Sequence, residues 1–542
     1  MTATVSPARG RTGSRPAGSH LTGTGAMVRL ALRRDRIKLS VWVLAITVLV
    51  PRFHHTAATV VVPTPEAMAE ATQLIQTSFM RVLAGPVFGA EAITTQKYFL
   101  AAYWVEFLLA AALMNILLIT RHTRAEEQTG RAELVRAAVV GRHAQLTAAL
   151  TVALIGDAVL AVCTAAAAIG IGFPAGGAVL FGASLAAAGL VFAAVAAVTV
   201  QITEYSRGAG GLAGAALFVA WILRGAGATQ SQDGGPLFWL SPLGWSQQTR
   251  VLADERWWPL GLSALLAGLL VAGAYALASR RDLGAAFVAP RPGRASAAAW
   301  LRSPVTLALR LQRATIGWWG AAFLAVGLVL GGMTGGMSHT DLPIFAGADL
   351  GRAWLSLMVF TGSLYTGVFV ILSVLRLRAE EVRGRIGPVL AGPTGRSSWL
   401  GSSLLVTALA VVLLLAVYGA ALGAGAAAST GDAGLAGEVV GASLLRVPEV
   451  LVLLAVPAAL LGLAPRAVSA AWAVLGYSGF MTVLGSYTGL PGWLVDTSVL
   501  SHLPWHPLGA FAPVATVVLT VLAAVLTILG LYGWRRRDLA SG

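Results

Sequence analysis

The chain has 542 residues, of which 57% are hydrophobic and only 11% are charged. Charged residues make up about 25% of an ordinary soluble domain, so this composition excludes a soluble globule and indicates an integral membrane protein. The net charge of +15 comes from 38 Lys and Arg residues against 23 Asp and Glu residues. Because the arginines stand in short segments between apolar runs, we expect them to set membrane orientation and expect no binding to nucleic acid.

The N-terminal part of the chain is polar and then basic. Residues 1–26 are mostly Gly, Ser, Thr, Ala, Pro and Arg without an apolar period, which predicts a disordered cytoplasmic tail. Residues 28–38 mix Val, Leu and Ile with four arginines and a lysine. That mixture predicts an amphipathic helix lying on an anionic, cytoplasmic membrane face.

Two sets of six apolar segments follow, each long enough for the ~20 residues that cross a bilayer. The first set is predicted at 39–57, 97–120, 144–169, 177–202, 208–224 and 258–279, and the second at 315–333, 353–375, 399–424, 446–464, 467–486 and 512–534. We therefore predict an all-α polytopic membrane protein with about 12 transmembrane helices. Its two six-helix halves, 27–283 and 310–542, are joined by a cytoplasmic linker at 284–309.

The charges between the segments predict the topology. Arginine is concentrated after the second, sixth and eighth segments and at the C-terminus, whereas the alternate connections carry acidic residues such as Glu66, Asp233 and Asp432. Short loops rich in Lys and Arg stay on the cytoplasmic side. This distribution predicts a multi-pass protein of the plasma membrane with both termini cytoplasmic. With an even number of helices in each half, the halves share one topology and would be related by an axis along the membrane normal.

One charged motif occurs twice, as Arg124-Ala-Glu-Glu-Gln-Thr-Gly-Arg131 and Arg378-Ala-Glu-Glu-Val-Arg-Gly-Arg385. A Gly-Arg pair follows each copy, and the sixth and twelfth segments both end in Arg-Arg-Asp-Leu. These echoes indicate an internal duplication. We predict that each copy is a short amphipathic helix parallel to the membrane, with ion pairs between Arg124 and Glu127, Glu127 and Arg131, and Glu381 and Arg385. Topology explains the arginines but not the paired glutamates, which favour a docking role.

The sequence contains no motif for catalysis or for nucleotide binding. The two lysines are not preceded by Gly, which excludes a Gly-x-x-x-x-Gly-Lys phosphate loop, and no His-Glu-x-x-His or Gly-x-Ser-x-Gly occurs. The single cysteine, Cys163, excludes a disulfide within the chain and a cysteine metal cluster. We therefore expect no catalytic residue, no metal site and no enzyme activity on this chain, and any energy for transport would come from another subunit.

The architecture resembles the permeases of ABC-2 type exporters. The resemblance covers residues 28–540 and depends on the six helices per half, the basic amphipathic helix, the repeated Glu-Glu segments and the aromatic outer segment Pro236-Leu-Phe-Trp-Leu-Ser-Pro-Leu-Gly-Trp245. Two halves fused in one chain resemble the actinobacterial polyketide-antibiotic exporters of the tetronasin-resistance type. The resemblance implies an exporter of hydrophobic or amphiphilic compounds such as antibiotics or drugs.

The same resemblance implies that residues 124–142 and 378–396 are coupling helices seated on two separately encoded ABC-type ATPases, such as a homodimer. ATP and Mg²⁺ would be bound by those partners, with no cofactor on this chain. In the second copy Gly387-Pro388 predicts a shorter or kinked helix and unequal contacts. The implied docking residues are Arg124, Glu126, Glu127, Gly130, Arg131, Arg142, Arg378, Glu380, Glu381, Gly384, Arg385 and Arg396.

Two other classes of function remain open at this stage. A proton-coupled secondary transporter for multiple drugs would share the helix count, although the Gly-x-x-x-Asp-Arg pattern of the major facilitator type is missing. A membrane-embedded enzyme would lack a convergent catalytic set. An adjacent reading frame that encodes an ATPase would favour the ATP-driven exporter over the secondary transporter.

The substrate path is expected between the halves, walled by the first two spans of each. A path of this kind is mainly apolar with a few polar groups, and its candidates are Tyr103, Glu106, Asn115 and Tyr365. Glu106 and Asp157 are the ionisable residues deepest in the predicted spans, and either is equally compatible with a structural pair inside the protein. The tryptophans of the fifth outer loop predict an aromatic belt or a half-inserted hairpin, with an external gate as the alternative.

Overall fold

The computed structural model describes residues 20–131, 133, 140–281, 287, 296–338, 349–484, 491–504 and 511–538. It is 82% helical, and no strand occurs among the described residues. Within the same residues, eleven helices are long and apolar enough to cross a membrane. This confirms the prediction of an all-α polytopic membrane protein.

The chain divides into two compact units, Met1–Gly293 and Arg294–Gly542. In the first unit the described helices are α1 Thr24–Thr56, α2 Pro65–Gln76, α3 Ser78–Ala84, α4 Thr95–Thr120, α5 Ala144–Gly170, α6 Ala175–Ile202, α7 Ser206–Gln230, α8 Pro236–Trp239, α9 Pro242–Gln247 and α10 Trp258–Arg280. In the second unit they are α11 Pro304–Gly332, α12 Thr334–Ser338, α13 Leu350–Val382, α14 Gly387–Leu390, α15 Arg396–Thr430, α16 Gly434–Leu445, α17 Val447–Leu463, α18 Ala471–Leu484, α19 Gly492–Val495 and α20 Pro513–Arg536.

Helix α1 contains both the predicted amphipathic segment 28–38 and the first predicted span. The two form one continuous helix of 33 residues, so the separate amphipathic helix predicted for residues 28–38 is wrong. No proline or glycine interrupts residues 28–38, and nothing in the sequence forces the chain to turn there. The basic segment is therefore held by the first span and follows its direction.

Helix α4 and its counterpart α13 have the same pattern of buried positions, but the charged motif begins one residue later after α4 than in α13. Their buried positions match in register, for example Phe99 with Trp354 and Ile119 with Val374, but the charged motifs that follow are spaced one residue closer together than these positions. The first copy accommodates its extra residue in a π-helical turn, Arg121–Ala125, which continues α4 as far as Gln128. An inserted residue widens a helical turn locally without changing the faces on either side.

The tenth and eleventh predicted spans differ from their predicted bounds. Helices α16 and α17 join at Arg446 into one span over Gly434–Leu463, so the predicted start at residue 446 is the middle of the span. The eleventh, predicted at 467–486, consists of a 3₁₀ turn, Pro465–Ala470, and the 14-residue α18. It is therefore not among the eleven long helices, and residues 485 and 486 lie outside the described part of the chain.

The connection between α7 and α10, which holds the aromatic segment noted in the sequence, contains a packed hairpin formed by α8 and α9. Phe238 and Leu243 are fully buried, and Ser241 donates a hydrogen bond to the backbone oxygen of Ala220 in α7 at 2.7 Å. Ser246 donates to the backbone oxygen of Ser184 in α6 at 3.1 Å. These contacts hold the hairpin against α6 and α7.

Glycine allows α11 and α15 to pack in backbone contact. Gly331 is buried, and a methyl group added to it would overlap the backbone oxygen of Leu422, whereas the adjacent Gly332 faces open space. Small residues permit this close approach between membrane helices. Gly331→Ala is expected to lower the free energy of unfolding by about 1–3 kcal/mol through overpacking. The matched Gly332→Ala variant should stay within about 0.5 kcal/mol of the parent, as surface changes do. Thermal unfolding of the purified proteins in one detergent checks both values; equal losses would contradict the close packing at Gly331.

Candidate partner-docking site

Both copies of the charged motif continue a long helix. Residues up to Gln128 extend α4, and Arg378–Val382 form the last turns of α13. The predicted separate helices parallel to the membrane are therefore wrong for these residues. The chain resumes in the second copy as the four-residue α14, with Pro388 in its first turn, which fits the short helix predicted there. Residues 134–139 of the first copy lie outside the described residues.

The second glutamate of each motif binds an arginine from the far end of its own unit. Glu127 accepts hydrogen bonds from Arg124 at 2.5 Å and from Arg281, the residue after α10, at 3.0 and 2.8 Å. Glu381 accepts them from Arg378 at 2.7 Å and from Arg537, the residue after α20, at 2.6 and 2.7 Å. Two-pronged arginine–carboxylate bonds of this kind are strong and directional.

The repeated Gly-Arg pair completes the arrangement. Arg142 donates a hydrogen bond to the backbone oxygen of Arg281 at 3.0 Å, and Arg396 donates one to that of Arg537 at 2.9 Å. Three separate repeats of the sequence thus meet in one cluster in each unit. We call each cluster an arginine clamp; its members are Arg124, Glu127, Arg142 and Arg281 in the first unit and Arg378, Glu381, Arg396 and Arg537 in the second.

The second glutamate of each motif is more deeply buried than the first, since the side chains of Glu126 and Glu380 are 14% and 28% exposed. The side chains of Glu127 and Glu381 are 5% and 0% exposed, and that of Arg124 is 1% exposed. The predicted pairs between Glu127 and Arg131 and between Glu381 and Arg385 are wrong. Arg131 instead lies 3.9 Å from Glu126, and Arg385 lies 3.3 Å from Glu380. The second glutamate instead points inward to the arginine that follows the last helix of its unit, Arg281 or Arg537. Residue spacing along a single helix cannot predict this contact.

A glycine ends each motif and exposes the arginine after it. Gly130 and Gly384 have φ angles of +71° and +68°, in the left-handed region that favours glycine and ends helices. Arg131 and Arg385 follow, and both side chains are 60% exposed. Each unit therefore presents an exposed arginine on a turn that its own clamp holds in place.

The two units differ in how the first glutamate of the motif is held. In the first unit Arg34 of α1 binds Glu126 at 2.8 Å, and Asp35 contacts both Arg121 and His122. The sequence Leu-Ala-Leu-Arg recurs at 30–33 and 307–310, which places Leu311 and Gln312 where the first unit has Arg34 and Asp35.

Gln312 binds within the second unit to α15, where it donates to the backbone oxygen of Ser403 at 3.2 Å and accepts from Thr407 at 3.0 Å. Ion pairs thus join α1 to the first motif, and an amide joins α11 to α15. Sequence analysis missed this difference, although the Leu-Ala-Leu-Arg repeat was a signal that could have revealed it.

The four candidates for the substrate path differ in exposure. Glu106 is exposed, Tyr365 is 40% exposed, and Tyr103 is partly exposed with its ring 4.9 Å from that of Phe53. Asn115 is fully buried inside the first unit and donates a hydrogen bond to Asp157 at 2.8 Å. Asn115 and Asp157 thus form a buried hydrogen-bonded pair within the first unit.

No set of three or more His, Cys, Asp or Glu side chains is placed to hold a metal ion in the part of the chain that the structure describes. Each arginine clamp brings a buried glutamate together with arginines from two distant parts of its unit.

Long apolar helices in two units, with the same charged clamp at the end of the second span of each, define a polytopic membrane permease. The chain belongs to the family described as multidrug efflux system permease Rv1217c, C-terminal domain, whose sequence pattern matches residues 25–277 and 301–535. It is 36% identical over 537 residues to the multidrug efflux system permease protein Rv1217c of Mycobacterium tuberculosis, with 96% of each chain covered. The resemblance to exporter permeases is thereby confirmed at the level of an efflux permease family.

Proposed function

We propose that this chain is the membrane subunit of an ATP-driven exporter of hydrophobic or amphiphilic compounds such as antibiotics and drugs. It lies in the plasma membrane with both termini cytoplasmic, and two separately encoded ABC-type ATPases supply ATP and Mg²⁺. The similarity to an efflux permease of Mycobacterium tuberculosis supports the drug-export part of this proposal. The absence of a phosphate-binding loop from the sequence supports a separate source of energy.

The observation that carries the proposal is the repeated arginine clamp beneath an exposed turn. In each unit the clamp joins the end of the second span to the start of the third and to the residue after the last. A force applied to the turn would therefore move three spans together. A rigid charged turn is a suitable contact for a motor subunit, because a flexible loop would absorb the motion.

The proposed docking surface contains fewer residues than the set predicted from the sequence. Its exposed members are Arg131 and Arg142 in the first unit and Arg385 and Arg396 in the second, on either side of the turns at Gly130 and Gly384. Arg124, Glu127 and Glu381 position this surface from within, while Glu126, Arg378 and Glu380 lie at its edge. Exposed arginines of this kind would bind acidic grooves on the ATPases and guide their association.

The combined charge reversal Arg131→Glu with Arg385→Glu is expected to weaken capture of the partner ABC-type ATPase by at least about tenfold, because removing close charge pairs at an interface has effects of this size. Both side chains are exposed, so the permease should still insert and fold. The control is Arg52→Glu, because Arg52 is also exposed but lies near the C-terminal end of α1, whereas the N-terminal part of α1 contacts the first motif. Pull-down of the ATPase from membranes and substrate-stimulated ATP hydrolysis measure the effect.

Unchanged capture and unchanged hydrolysis in the double variant would contradict the docking assignment. Drug export that continues without any ATPase, and that stops when the proton gradient is dissipated, would instead establish the proton-coupled alternative. The two measurements separate a wrong docking surface from a wrong source of energy.

A further inference from the structure

Glu106 is an exposed carboxylate far inside a membrane span. It lies about 16 Å along α4 from Thr95, at 1.5 Å per residue, and so falls near the middle of a hydrocarbon core ~30 Å thick. Glu106 is exposed, although both neighbours in sequence, Val105 and Phe107, are buried. A charged group at this depth that faces out of its own unit is costly and is a mark of function.

The face of α4 that carries Glu106 is otherwise apolar. Ala110, Leu113 and Leu117 follow at the helical spacing of a single face, and the two leucines are 42% and 49% exposed. Tyr103 stands one turn before Glu106, with its ring against that of Phe53. The face thus combines one negative charge, an apolar strip and an aromatic pair.

No other side chain forms a hydrogen bond or an ion pair with Glu106 among the described residues. Arg224, a fully buried cation of the same unit, donates to the backbone oxygens of Val82 and Leu83 at 2.7 and 2.6 Å and to Gln247 at 3.3 Å. Arg224 is thereby bonded to α3 and α9, and it acts on Glu106 only through Coulombic attraction over a longer distance. The carboxylate of Glu106 therefore has no hydrogen-bonded cation of its own and can pair with a charge from outside the unit.

We propose that this face of α4 binds lipophilic organic cations, with Glu106 as the residue that recognises the positive charge. The proposal rests on the proposed export function and names a substrate class for it. The apolar strip would receive the hydrophobic body of the compound, and the aromatic ring of Tyr103 would add a cation–π contact. Pairing the carboxylate with a cation removes the cost of an isolated charge at this depth.

The second unit lacks this charge on the matching face. In the shared register of α4 and α13, Thr361 stands where Glu106 does, and Tyr365 and Leu372 stand where Ala110 and Leu117 do. Recognition of the positive charge is thus a property of the first unit. A compound without a charge would gain nothing from Glu106.

The test is equilibrium binding of tetraphenylphosphonium and tetraphenylborate to the purified permease in detergent. The two probes share shape and apolar surface but carry opposite charges. Glu106→Gln is expected to weaken binding of tetraphenylphosphonium by at least about tenfold and to leave tetraphenylborate binding unchanged or improved. Glu106→Asp should keep the preference for the cation. Glu70→Gln, the same charge change on the outer helix α2, is the control and should change neither.

Three results would overturn the proposal: equal binding of both probes by the parent protein, equal weakening of both probes in Glu106→Gln, and unchanged binding of the cation in that variant. If Glu106→Gln does not fold, the parent protein and Glu106→Asp still decide the question. Because binding is measured without an ATPase, failure of ATP-driven export would leave this result intact. Loss of cation binding likewise would not affect ATPase capture.

Discussion

Glu381→Gln is expected to lower the free energy of unfolding by about 3–5 kcal/mol, as removal of one partner from a buried ion pair does. The side chain is fully buried and accepts hydrogen bonds from both Arg378 and Arg537. A neutral amide has one acceptor oxygen fewer and presents a donor to the two guanidinium groups. Arg378 and Arg537 would then share a site without the carboxylate that both of them bind.

Glu380→Gln is the matched control, since it makes the same change at the adjacent residue. Glu380 is 28% exposed and has one ion pair at 3.3 Å with the exposed Arg385. Surface pairs of this kind contribute about 0–1 kcal/mol, so the control should stay close to the parent. Thermal unfolding in detergent and protease resistance of the C-terminal residues measure both. Equal losses in the two variants would show that the clamp does not stabilise the second unit.

The second large effect is expected at Arg446, the junction between α16 and α17. Its side chain is 1% exposed, lies 3.2 Å from the fully buried Glu449 and donates to the backbone oxygen of Pro504 at 3.0 Å. Arg446→Met should lower the free energy of unfolding by about 3–5 kcal/mol, because it leaves a buried carboxylate without its cation. The segment 491–504 should also exchange its backbone hydrogens faster, since it loses the hydrogen bond from Arg446 to Pro504.

The double variant Arg446→Met with Glu449→Met is the control for the charge itself. Replacing a whole buried ion pair by apolar residues of similar volume is often neutral or stabilising, so this variant should regain most of the stability that the single change removes. Rapid exchange at 491–504 should persist in it, because the bond to Pro504 is still missing. A double variant no more stable than Arg446→Met would mean that packing dominates at this junction.

Much of the fold could be predicted because apolar length and loop charge act locally. A bilayer demands about 20 apolar residues per crossing, and this demand is visible along the chain without any tertiary contact. The predicted helix boundaries were wrong at places where the local backbone conformation determines whether a helix continues or ends. The continuous α1, the π-helical turn Arg121–Ala125 and the start of the tenth span at Gly434 depend on backbone hydrogen bonds that a hydropathy pattern does not resolve.

The candidate site shows the same division. Repetition drew attention to Glu126, Glu127, Glu380 and Glu381 as a group, but it could not show which glutamate of each motif is the more deeply buried. The partners of the buried pair, Arg281 and Arg537, stand more than 150 residues further along the chain. Spacing along a helix reports only on neighbours in that helix. The echo of Arg-Arg-Asp-Leu was visible in the sequence, while its contact with the motif was not.

The sequence by itself determined that this chain is a duplicated, all-helical membrane protein with charged motifs at equivalent places. Only the tertiary structure decided which faces of its spans are covered. Helices that are apolar nearly all round carry no strong directional pattern, so Glu106 and Asn115 looked alike as polar residues of one span. Packing of α4 against its neighbours buries Asn115 on Asp157 and leaves Glu106 exposed. Whether a side chain on an apolar helix is buried depends on which neighbouring helix packs against its face, and only the tertiary structure shows that.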